Sequence, residues 1–141
     1  MLCFSIGYQG RSIDNLCQEL TRNQVTLVVD VRERAWSHRP EFRKGALARA
    51  LAAVGIEYEH CRIAGNPFRP RNAQPANLTA CKRRYASHLK KQPDVLETVE
   101  SAVRRNRAAL LCFEREKARC HRGVLLMELS RRNPALMICD L

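Results

Sequence analysis

The sequence predicts an α/β protein built on an open, mostly parallel sheet of about five strands, with helices on both faces, Rossmann-like in outline. Three observations carry this. Short apolar runs, several rich in β-branched residues, alternate along the chain with longer stretches whose apolar residues recur at helical spacing. Glycine, proline or asparagine marks most of the changes from one pattern to the other. The chain has 141 residues, of which 45% are hydrophobic. That is enough to bury one core, so residues 1–141 are read as a single domain.

The first strand is Cys3-Phe4-Ser5-Ile6, closed by Gly7-Tyr8-Gln9-Gly10, whose glycines permit a tight turn. Ser12 is placed to cap a helix carrying Ile13, Leu16, Cys17 and Leu20 on one side. Val25 to Val31 reads as a strand covered on both faces. Phe42 to Val54 is the next helix, stopped by Gly55, and Ile56 to His60 alternates as a third strand. Two such units in one sheet imply parallel strands with right-handed crossovers. Ala64 to Pro75 holds three prolines and should be a loop. Helices are expected over Leu78 to Lys91 and over Pro93 to Asn106, the second with proline in its first turn. Ala108 to Phe113 is a wholly apolar strand, Cys120 to Arg132 a helix, and Ala135 to Cys139 the last strand.

Composition excludes several classes. No run approaches the roughly 20 apolar residues of a membrane helix. Neither does the chain open like a secretory leader. Seven cysteines, an odd number, argue against a closed disulfide framework. Free thiols in a reducing, cytoplasmic setting are expected instead. The net charge is +11, and it is unevenly placed. Residues 62–91 carry eight lysines or arginines and no acid, whereas the segments on either side are nearly balanced. Such a stretch favours an anionic small molecule or nucleic acid as partner.

Ligands of open parallel sheets bind at the carboxyl ends of the strands. Every unusual cluster falls there. Tyr8 and Arg11 follow the first strand, Asp30 and Arg32 the second, and Cys112 and Glu114 the fourth. Asp30 and Arg32 are two residues apart and therefore share a strand face. They form either an internal ion pair or an acid–base group beside an anion clamp. Cys120-His121-Arg122 begins a helix, where negative charge on sulfur is favoured. Asp30, Glu114, Cys120 and His121 are thus the catalytic candidates, with Arg11, Arg32, Arg122 and Tyr8 holding the anion. Cys112, at the end of an apolar strand, reads more as packing than as chemistry. Cys112, Cys120 and His121 could bind zinc with Cys61 or His60. No Cys-x-x-Cys pair supports that, so no metal or other cofactor is assigned. A Cys-x5-Arg phosphatase loop fails at Ala118 and at Leu126, and no Gly-x-Gly-x-x-Gly loop exists.

Several of these stretches occur together in one family. Ile6-Gly7-Tyr8-Gln9-Gly10-Arg11, Val29-Asp30-Val31-Arg32, Phe42, Gly55-Ile56 with Tyr58 and His60, Gly65-Asn66-Pro67, Leu111-Cys112-Phe113-Glu114 and Cys120-His121-Arg122 resemble the bacterial domain-of-unknown-function 488 family. Asn66 departs from the family's more usual second glycine. The resemblance implies the α/β fold and singles out these positions, but supplies no reaction. Val-Asp-Val-Arg-Glu at 29–33 also looks like the strand motif of rhodanese-type sulfurtransferases, without their compact cysteine loop.

Three functions follow as expectations. The first is an enzyme acting on a phosphorylated or nucleotide-like substrate at the strand ends. The second is a non-catalytic nucleic-acid-binding module using Arg69, Arg71, Lys82, Arg83 and Arg84. The third is a rhodanese-like thiol or sulfur-transfer protein.

Overall fold

The computed structural model describes residues 1–68 and 75–141. Five strands make one all-parallel sheet: β1 (Leu2–Gly7), β2 (Leu27–Asp30), β3 (Glu57–His60), β4 (Ala108–Cys112) and β5 (Met137–Asp140). Their order is β3-β2-β4-β1-β5. Five helices connect them: α1 (Ile13–Arg22), α2 (Lys44–Ala53), α3 (Pro75–Lys91), α4 (Pro93–Arg105) and α5 (His121–Arg132). The expected elements are all present, with ends shifted by at most three residues. Part of the expected 64–75 loop, with Arg69 and Arg71, lies outside the described residues. Among the described residues no helix is long and apolar enough to cross a membrane.

Alternation along the strands makes two cores. In β4, Ala108, Leu110 and Cys112 face one side, while Ala109 and Leu111 face the other. The first side is covered by α3, α4 and α5 through Tyr85, Leu89, Val99, Leu125 and Leu129. The second is covered by α1 and α2 through Leu16, Leu20, Leu47 and Leu51. Both faces of the inner strands are therefore dry, which explains their unbroken apolar runs. Local signals set the helix starts. Ser12 Oγ accepts the Asn15 backbone N–H at 3.0 Å, and Pro93 occupies the first turn of α4.

This order positions the site. From β2 the chain turns towards β3 across the α1/α2 face, and from β4 it turns towards β5 across the opposite face. Neighbouring strands whose connections diverge leave a crevice at their carboxyl ends. That crevice lies between β2 and β4.

Candidate functional site

Three strand ends are stitched together above the sheet. Tyr8 and Gln9 donate their backbone N–H groups to the carbonyls of Cys112 and Phe113, at 3.2 and 2.9 Å. Val31 donates to the Leu111 carbonyl at 3.0 Å. Gly7 lies so close to the Glu114 backbone that a Cβ there would overlap it, so only glycine lets the two loops approach.

On the α1/α2 side, Asp30 and Arg32 come together as a closed network. Asp30 is fully buried. The Arg32 guanidinium donates to both Asp30 oxygens, with Nη2 on Oδ2 at 2.6 Å. It also donates to the Tyr8 hydroxyl at 3.2 Å and the Phe42 carbonyl at 2.8 Å. Tyr58 completes the set, donating its hydroxyl to Asp30 Oδ2 at 2.5 Å. Burial works against the charge of Arg32, but the hydrogen bonds and the charge of Asp30 outweigh it and hold the guanidinium above its usual range. Burial, then Asp30, pushes the Tyr58 phenol up as well. Tyr8 stacks on Phe42 with ring centroids 4.5 Å apart. Arg11 turns inward too, donating to the Gly7 carbonyl at 3.0 Å and to Asn15 Oδ1 at 2.9 Å. The geometry of Asp30, Arg32, Tyr8 and Arg11 is that of a brace holding the loops.

On the α5 side the reactive groups gather. Cys112 ends β4 and Cys120 caps α5, its sulfur accepting the Arg122 backbone N–H at 3.4 Å. The two sulfurs touch. Their Cα atoms stand 7.7 Å apart, so oxidation to a disulfide draws the two loops together, and when reduced they are adjacent thiols. Glu114 Oε2 lies 3.5 Å from Cys112 Sγ. Arg122 is 1% exposed, and its guanidinium donates to Cys112 Sγ at 2.5 Å, to Ser5 Oγ at 2.7 Å and to the carbonyls of Glu114 and Arg115. None of these acceptors is a carboxylate. Burial lowers Arg122 to about 10, with the charges of Glu114 and Asp140 opposing, so it stays charged at neutral pH. A buried cation needs negative charge nearby, and the Cys112 sulfur and the Glu114 carboxylate beside it can both carry it.

His121 is oriented from behind. Its Nε2 lies 2.7 Å from the Val31 carbonyl, which can only accept, so Nε2 carries the hydrogen. The lone pair of Nδ1 then faces Cys120 Sγ at 3.6 Å. His60 is turned away, its Nε2 2.8 Å from the Arg32 carbonyl, and burial pushes the Cys61 thiol up.

A pocket of about 520 Å³ opens onto this group, lined in part by Arg34, Trp36, Asn66, Cys112, Glu114 and His121. Trp36 is 51% exposed at the pocket wall, with the Arg43 guanidinium 4.9 Å from its ring centroid. Cys112, read from the sequence as packing, is indeed part of the core at 1% exposed, and it also forms part of the pocket wall. Cys120 stands beside it, 2% exposed. Sequence reasoning also passed over Arg34 and Trp36, although they follow the second strand's carboxyl end, where ligands of such sheets bind. Lys82, Arg83 and Arg84 lie on α3, with Arg84 set over the Phe68 ring at 4.5 Å.

Fold and site define a class: a parallel α/β protein with a cysteine pair, a carboxylate and a buried arginine at its topological switch point. Residues 12–129 match the model of a domain of unknown function, DUF488, and the chain belongs to that family. No curated protein and no solved structure matches the chain significantly.

Proposed function

We propose that the chain is a thiol-dependent enzyme in which Cys112 is the nucleophile and Cys120 its partner thiol. The observation that carries this is Arg122, a buried cation whose guanidinium donates to a sulfur on the wall of a substrate-sized pocket. A guanidinium against sulfur stabilises the thiolate, the form that attacks. Cys120 sits at the positive end of α5 beside the Nδ1 lone pair of His121, which can take its proton. The resulting chemistry is thiol–disulfide exchange. The Cys112 thiolate attacks one sulfur of a substrate disulfide and expels the other as a thiolate. The Cys120 thiolate then attacks Cys112 Sγ and expels the second substrate thiolate, so that the substrate disulfide is reduced and the Cys112–Cys120 pair is oxidised. A cytoplasmic setting, which keeps thiols reduced, suits it.

A phosphorylated or nucleotide-like substrate has less support. Arg11, Arg32 and Arg122 all donate to protein acceptors, and Glu33 and Glu114 line the pocket alongside Arg32 and Arg34, which disfavours an anion there. The nucleic-acid reading rests on the charge of residues 62–91 alone.

The test is selective labelling. The full chain is reduced with a phosphine, stripped of metal with a chelator and treated with iodoacetamide at pH 7. Cys112 should react at least about tenfold faster than the more exposed Cys17 and Cys139, because its thiolate fraction sets the rate. Cys112 labelling no faster than these two would overturn the reading.

A further inference from the structure

We infer that Cys112, Glu114 and Cys120 form a binding site for a thiophilic divalent cation of the zinc class. One ligand atom from each lies within 4.8 Å of the other two, and two of the three residues are buried. Two thiolates and a carboxylate are a donor set that zinc accepts.

Charge points the same way. With all three ionised beside Arg122, the cluster carries a net charge of −2, and a divalent cation neutralises it. Without a cation, at least part of that charge must be removed by protonating the thiols or joining them.

The backbone spacing is a second, independent observation. The Cα atoms of Cys112 and Cys120 stand 7.7 Å apart, whereas bridged cysteines usually keep theirs at about 4.4–6.8 Å. Two sulfurs on one tetrahedral zinc sit about 3.8 Å apart, from bonds of about 2.3 Å each. That arrangement suits the wider spacing, and rotation about the Cα–Cβ bonds provides it.

The surroundings are those of a metal-ligand set. Arg122 donates to one ligand sulfur and its backbone N–H to the other, the outer-shell bonds that orient ligands and tune them. His121, its Nε2–H already on the Val31 carbonyl, turns Nδ1 towards Cys120 and can supply a fourth donor. Cys112, Glu114 and His121 all line the pocket, so a cation has an entry path and an open coordination position. The site uses the same thiolates as the proposed enzyme. A bound cation would occupy the nucleophile, so metal and substrate would compete.

The probe is cobalt(II), followed by zinc, added to the reduced, chelator-treated full chain. One equivalent of cobalt should bring up thiolate-to-metal absorption in the near ultraviolet, which one equivalent of zinc then removes. Cys112→Ser or Cys120→Ser should weaken the band and loosen zinc by at least about 100-fold, since outer-shell partners alone are worth roughly 10–100-fold. If those variants misfold, the wild-type chain still reports: zinc should slow iodoacetamide labelling of Cys112 and Cys120 while leaving Cys17 and Cys139 unchanged. No band and no protection in the reduced wild type would overturn the inference. So would zinc binding that survives both serine substitutions. Fast Cys112 labelling without metal binding would sink this inference and leave the proposed function standing. Binding together with slow labelling of the metal-free chain would do the reverse.

Discussion

Asp30 shows how a single buried charge is held. It is wholly enclosed, yet both oxygens are met by the Arg32 guanidinium, and Tyr58 supplies a further hydrogen bond. Breaking a buried pair from one side is far more damaging than never having built it, because the surviving charge is stranded. Asp30→Asn should therefore lower the unfolding free energy in urea by about 3–5 kcal/mol. In molecules that remain folded, Cys112 should keep its fast labelling, because Asp30 lies on the opposite face of the sheet from the sulfurs. A loss below about 1 kcal/mol would show that Arg32 finds other acceptors, and the bracing role assigned to the pair would fail.

The element that couples stability to chemistry is the junction of β1 and β4. Gly7 closes β1 against the backbone of Glu114, the residue that flanks Cys112. Gly7→Ala should push the 113–115 loop outward, destabilising the fold and slowing Cys112 labelling together. If the variant loses stability but labels as fast as wild type, the junction does not position the site. At this scale most of the fold was legible. Apolar runs, the Ser12 cap and the Pro93 start are local signals, and each specified its element. The site was legible in its location, because strand-end rules depend only on the alternation of elements. Its internal division was not. The two-residue spacing of Asp30 and Arg32 points to their ion pair as one of two readings, but nothing in the sequence sets Arg122 against a thiol. Strand parity puts Asp30 and Cys112 on opposite faces only once the register of β2 with β4 is known. Cys112 is packing, as its apolar strand implies, and its further place on the pocket wall depends on the loop beyond.

For the whole molecule, the sheet divides one chain into two cores, and each includes a tyrosine whose phenol resists ionisation. Burial, then Asp30, pushes Tyr58 up on the α1/α2 side. Burial, then Cys61, pushes Tyr85 up on the other side, where its hydroxyl donates to the Ala64 carbonyl at 2.5 Å. Unfolded tyrosines ionise near pH 10. Both folded values lie above that, so the stabilisation is complete below about pH 10 and is lost as pH rises towards the folded values. Across that window the unfolded chain releases phenolic protons that the folded chain keeps, and the balance shifts towards unfolding. The chain should therefore be alkali-sensitive in both cores at once. Tyrosinate absorbance should lag behind that of three free phenols above about pH 10, then catch up in one step as the helical signal in circular dichroism collapses. Tyr85→Phe should reduce the lag, since one of the two resistant phenols is gone. Full ionisation of the wild-type tyrosines around pH 10 with the helical signal intact would mean that water reaches both phenols, and the picture of two dry cores would be wrong.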